Sequence, residues 1–166
     1  KMALENTNTP TGLILSRQGI KDIPAKGGSR YQEALAAEKG GYLVKEVENP
    51  DLVLIANGSE VATLIEAAKL LEENENLKVN IASVISEGVF RLQSKEYQDS
   101  VIPKNKPLFG LTAGLPVNLE GLVGDKGKVF GLEHFGYSAP AAVLDDKFGF
   151  TGEKVSQQVL AYLKTV

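Results

Sequence analysis

From Gly40 onward, short apolar runs alternate with segments whose apolar residues recur every three or four positions. Runs of the first kind read as buried strands, and segments of the second as amphipathic helices. "GGYLVKEV" and "DLVLIANG", separated by "ENP", read as an antiparallel pair joined by a turn. "SEVATLIEAAKLLEE" predicts a helix with Val61, Leu64, Ile65, Ala68 and Leu71 on one face and Ser59 as its N-cap. "LKVNIASV" is the next strand. After an unpatterned bend, "SKEYQDSVIP" predicts a short helix capped by Ser94 and ended before Pro103. "PLFGLTAG" and "KVFGLEHFG" add two strands. "APAAVLDDKFG" and "TGEKVSQQVLAYLKTV" read as helices, the second with Val155, Val159, Tyr162 and Leu163 in one stripe. Alternation of this kind predicts an α/β fold: about five strands, mostly parallel with one antiparallel, and helices on both faces.

The first forty residues do not share this rhythm. One strand is predicted at Gly12–Ser16, orphaned from any core of its own, and the Gly- and Lys-rich stretch from Gly19 to Gly40 has the composition of a linker more mobile than the sheet.

Composition narrows the classes. A chain of 166 residues with 43% hydrophobic positions suits one compact domain. The formal net charge of −3 offers no general attraction to nucleic acid or an anionic membrane, and neither is expected as a partner. No cysteine and one histidine exclude disulfides, thiolate sites and multi-histidine metal sites within the chain. No apolar run nears the roughly 20 residues of a membrane span. "KMALENTNTP" lacks the apolar core of a secretory signal, so a soluble, cytoplasmic protein is expected.

Candidate chemistry is sparse. "ANGSEV" stands where a strand turns into a helix and could offer backbone N–H groups to an anion, but it matches neither the dinucleotide nor the P-loop pattern. Glu60 there suits the helix dipole and repels phosphate, so a turn with a cap is the preferred reading. Glu133 and His134 follow a predicted strand, where ligands of α/β sheets collect. Adjacent residues of an extended segment point to opposite sides, however, and no placed nucleophile accompanies them, so a structural role is preferred. "AGLPVNLEGLVGDKG", within which lies the Gly114–Gly127 loop, either shapes a binding face or only connects elements.

Four segments together carry a resemblance: "PTGLILSRQ", "LVLIANGSEVATLIEAAKLLEE", "LQSKEYQDSVIP" and "FGYSAPAAVLDDKFGFT". In order and spacing they resemble the C-terminal end of transketolases, over nearly the whole chain. Deoxyxylulose phosphate synthases and the β subunits of 2-oxo acid dehydrogenases share the domain plan and are the nearby alternatives. The resemblance implies that residues 1–18 are the tail of a middle, pyrimidine-binding domain, 19–40 a linker, and 41–166 the C-terminal α/β domain. The chain is then expected to be a fragment. A full-length relative would be a homodimer of the pentose phosphate pathway, moving a two-carbon ketol group between sugar phosphates with thiamine diphosphate and Mg2+ or Ca2+. The parts that hold this cofactor have no counterpart here, so no catalytic, cofactor or metal residue is assigned and the chain alone is expected to be inactive. Arg17, in "SRQ", is similar in position to the family arginine that reaches the substrate phosphate, a task suited to a planar fork of donors that keeps its charge. Thr112 and Tyr137 depart from the family pattern, as does the loop after Gly114. The competing reading is a stand-alone module that binds a small anionic ligand at the mouth of its sheet.

Overall fold

In this computed structural model, residues 2–16 and 19–166 are described. Five strands form one sheet: β1 (Gly41–Lys45), β2 (Leu52–Ala56), β3 (Val79–Val84), β4 (Leu108–Leu111) and β5 (Lys128–Phe130). Their order across the sheet is β1-β3-β2-β4-β5, parallel except for β1, which runs antiparallel to β3. The α/β class with one antiparallel strand is as expected. The partner of that strand is not: β1 pairs with β3 from Gly41↔Val84 to Lys45↔Ile81, so β1 and β2 are no hairpin. The reason lies in β2, whose five residues are all buried and which is hydrogen-bonded on both edges by parallel neighbours, leaving β1 the outer edge of β3.

The apolar run of β2 feeds two cores. Leu52, Leu54 and Ala56 face a front layer made by α3 (Glu60–Glu75) and α8 (Gly152–Leu163), together with Ile81, Phe109 and Leu111. Val53 and Ile55 face a rear layer made by α4 (Glu87–Arg91), α5 (Lys95–Val101) and α6 (Val117–Val123). A strand buried on both faces needs a continuous apolar run, and "LVLIA" supplies it. Helix α3 buries Val61, Leu64, Ala68 and Leu71 as its spacing predicts, with Ile65 at the margin. Its start differs: Ser59 is already helical (φ −63°, ψ −32°), and its hydroxyl donates to Glu60 at 2.8 Å instead of capping a backbone N–H. Ser94 does cap α5, accepting from the Tyr97 N–H at 3.3 Å. Thr151 caps α8 in the same way through the Lys154 N–H, also at 3.3 Å.

Within residues 41–166, two helices stand where none is predicted. The bend after β3 contains α4, opened by Ser86, whose hydroxyl accepts from the Val89 N–H. The loop after Gly114 contains α6, which buries Leu119, Leu122 and Val123. The predicted strand at Gly12–Ser16 is absent: a strand needs a ladder partner, none reaches it, and Leu13, Ile14 and Leu15 are exposed. α1 (Met2–Glu5) is a single turn before it, and α7 (Ala141–Phe148) precedes α8.

The stretch from Gly19 to Gly40 contains regular structure that its composition does not announce. It contains α2 (Arg30–Ala34) and a 3₁₀ turn at Leu35–Lys39. Arg30 donates to the carbonyls of Ile23, Pro24 and Val44 at 3.1 to 3.2 Å, fastening this stretch to β1. Its third nitrogen, Nη1, pairs with Glu33 Oε2 at 3.0 Å. Glu33 Oε1 in turn accepts from the Lys26 and Gly27 N–H groups. Nothing in a count of glycines and lysines foretells such a clip.

Candidate functional site

A cleft of about 480 Å³ opens at the carboxyl end of the parallel strands. Its position follows from topology. After β2 the chain turns into α3 on the front, and after β4 into α6 on the rear, so the two connections diverge and leave a crevice between them. Ser59, Glu60 and Thr63 of the α3 end form one wall, Ala113 and Leu132 the floor, and Asp145 and Thr151 the far side. Gly19, Ile20 and Lys21 close it.

The charge of this cleft is wrong for a free anion. Glu60, Glu66 and Asp145 all line it, and the one cation among its described residues, Lys21, stands 3.8 Å from Glu66. The helix start that could hold an anion carries Glu60 in its first turn, and that carboxylate answers the helix dipole itself. A stand-alone anion-binding module at the mouth of the sheet has no support in these walls.

The predicted site residues are scattered. Arg17 lies outside the described residues. Glu133 and His134 are both exposed and form no ion pair or hydrogen bond with each other among the described contacts. His134 instead places Nδ1 2.8 Å from the Phe135 carbonyl oxygen and its ring 5.1 Å from that of Phe148. No acid–base pair is assembled there. Thr112 is buried; its Oγ1 accepts from the Gly114 N–H at 3.1 Å and its N–H donates to the Phe130 carbonyl, which shapes the turn out of β4. Tyr137 stacks on Phe148 at 5.7 Å, with the Lys147 ammonium 4.8 Å from its ring centre.

These residues belong to a different kind of surface. On the loops after β4 and β5, and on α7, Leu115, Val117, Phe135, Tyr137 and Val143 are more than half exposed, Phe135 almost completely at 98%. Helix α7 buries none of its eight residues. These exposed apolar side chains lie on the connections that follow the carboxyl ends of β4 and β5 and on α7. The signal in the sequence is the aromatic pair Phe135 and Tyr137 in "HFGYSAP", on the loop after β5.

The described residues do not fit thiamine diphosphate and its divalent metal. Among the described residues no group of three or more His, Cys, Asp or Glu converges to hold a metal ion. The one cleft of suitable position faces a diphosphate with carboxylates. Nor is any helix among the described residues long and apolar enough to cross a membrane.

Comparison with known proteins gives this geometry a family. Residues 40–151 match the family described as the transketolase-like TK C-terminal domain. A transketolase of Staphylococcus aureus is 36% identical over 165 residues, which is 97% of this chain and 24% of that protein. A transketolase of Kluyveromyces lactis is 37% identical over 156 residues, 94% of this chain and 22% of its own. Among solved structures, a transketolase mutant from Pichia stipitis superposes with a TM-score of 0.78 at 28% identity, covering 90% of this chain and 21% of that one. The chain thus spans about a quarter of the length of the curated relatives it matches. From the matched core between Gly40 and Thr151, the chain belongs to the transketolase-like C-terminal domain family.

Proposed function

We propose that this chain acts as the C-terminal domain of a transketolase, within a larger protein that transfers a two-carbon ketol group from a ketose phosphate to an aldose phosphate. The observation that carries the reading is the alignment of 97% of the chain with only 24% of a transketolase. The uncovered apolar loops after β4 and β5 support it, because they present a face for the remaining domains or the second subunit of a homodimer. Thiamine diphosphate, with Mg2+ or Ca2+, would then be held by residues outside this chain. Residues 1–18 are read as the tail of the preceding domain and 19–40 as the connection, which Arg30 fastens to β1. A cytoplasmic setting in the pentose phosphate pathway accompanies the proposal.

The test compares this chain with the longer protein. Titration of the chain with thiamine diphosphate and Mg2+ is expected to give no saturable heat, and a ketol-transfer assay no product. The longer protein is expected to do both. Saturable cofactor binding by the 166-residue chain, or no ketol transfer by the longer protein, overturns the proposal.

Arg17 has its own assignment in the proposal, as the side chain that grips the substrate phosphate. In the longer protein, Arg17→Ala is expected to lower kcat/KM for phosphorylated sugars by about 10- to 150-fold, equivalent to roughly 1.5–3 kcal/mol of charge-assisted hydrogen bonding. Unphosphorylated acceptors should be almost unaffected. Arg17→Lys should recover part of the loss, since the ammonium keeps the charge without the paired donors. An equal loss on both substrate classes would point to a disturbed fold and end the phosphate assignment.

A further inference from the structure

At the opposite end of the sheet, where β4 and β5 begin, the charge pattern is reversed. A cleft of about 230 Å³ lies between the loop entering β4 and the turn entering β5. Lys104, Lys106 and Lys126 line it with Asn105 and Val166, the last residue of the chain, and no carboxylate side chain does. Lys128 and Asp125 stand in the adjoining depression. None of these four lysines is ion-paired among the described residues, although the chain as a whole is acidic at −3.

From this arrangement we infer that the cleft at the amino ends of β4 and β5 is a binding site for a small phosphate-class anion, separate from the cleft at the sheet's carboxyl end. The inference does not depend on the proposed activity. The sequence brings the lysines together by register: "KNKP" leads into β4 and "DKGK" into β5, and the two strands are hydrogen-bonded parallel neighbours with Phe109 opposite Lys128. The cleft is held rigidly. Tyr162 of α8 is buried, its hydroxyl oxygen accepts from the Leu108 N–H at 3.2 Å, and the hydroxyl donates to the Lys126 carbonyl at 2.9 Å. One side chain therefore locks both lips of the cleft.

Lys104 lines this cleft and also the next one, on the rear of the sheet. Its ammonium donates to the Leu122 carbonyl at the end of α6. Burial, and then repulsion from Lys95 and Arg91, hold it below the usual lysine range, against a smaller opposing effect of Asp99. Arg91 and Lys95 line the next cleft, on the rear of the sheet, and are paired with Glu87 and Asp99. Inorganic phosphate, pyrophosphate or the phosphate end of an ester suits a cleft of this volume, which adjoins a depression of about 610 Å³. An ammonium binds phosphate as a point charge without the planar specificity of arginine, so charge density will matter more than ligand shape.

The experiment is amide NMR on this chain at constant ionic strength, titrated separately with inorganic phosphate and pyrophosphate. Saturable shifts are expected at Lys106, Leu108, Lys126 and Gly127, reached at lower concentration with pyrophosphate. The double variant Lys106→Gln, Lys126→Gln is expected to weaken binding about tenfold or more, by loss of two charge-assisted contacts. Lys69→Gln, on the exposed side of α3, should leave it unchanged. Both changed lysines in the double variant are surface groups away from the cores, and an otherwise unaltered spectrum will confirm its fold. Shifts that never saturate, that match those from chloride, or that weaken equally with Lys69→Gln overturn the inference.

Discussion

Phe109→Ala is expected to lower stability by about 3–5 kcal/mol, the usual cost of removing a buried aromatic ring and leaving its cavity. Against total stabilities of about 5–15 kcal/mol for domains, this leaves the chain close to its unfolding midpoint. The position explains the size. Phe109 is fully buried in the middle of β4, pairs in register with Leu54, and places its ring 6.1 Å from that of Tyr162. Removing the ring therefore loosens the sheet against α8. Neighbours cannot collapse into the space easily, because Leu54 and Leu111 are fixed by the strand ladders on either side. Urea unfolding followed by circular dichroism checks it. Phe109→Leu keeps most of the volume and is expected to cost about 1.5 kcal/mol or less. If Phe109→Ala cost no more than Phe109→Leu, the front core would not depend on that ring.

Gly40→Ala is the second large effect, expected at about 3 kcal/mol, and it arises from backbone alone. Gly40 has φ +82° where the 3₁₀ turn gives way to β1, a region that costs an L-residue roughly 1–2 kcal/mol. A methyl group there would also stand 2.3 Å from the Phe90 nitrogen and 2.5 Å from the Ser86 carbonyl oxygen. Both are main-chain atoms of the α4 start and cannot turn aside, and the strain of overpacking adds roughly 1–3 kcal/mol. Gly58→Ala is the matched control. Gly58 also has a positive φ, +57°, but nothing within 4 Å of the added carbon, so it should lose only the backbone part. Equal losses at the two glycines would mean that α4 does not pack against Gly40 as described.

The elements that could be read from sequence were those whose pattern is set within the element. The stripe of Val155, Val159 and Tyr162 in α8 and the apolar run of β2 needed no knowledge of their surroundings. Pairing is another matter. Nothing in "GGYLVKEV" says that its partner is β3 and not the nearer β2, because both candidates are apolar and only the completed sheet decides. α4 spans five residues, too few to show a helical period, and α6 carries Gly121 inside and Pro116 at its start, which read as loop. Gly12–Ser16 shows the reverse error, strand composition without a ladder. The cleft at the sheet's carboxyl end draws its walls from five separated segments, so no local motif announces it. Family membership was legible because four segments keep their order and spacing, even though no single one of them has a chemical signature.

The packing of α8 on α3 also bears on how the chain is made. Val155 and Val159 of α8 belong to the same front core as Leu64 and Ala68 of α3, yet 76 residues lie between the two helices. During synthesis the β2–α3–β3 unit leaves the ribosome first, with the front of α3 bare. Its cover is α8, the last element in chain order, and Tyr162 within α8 also joins β4 to the turn before β5. The domain therefore cannot close its front core in pieces as it emerges: until residues 152–163 are free, its apolar front face is open to chaperones and to other nascent chains.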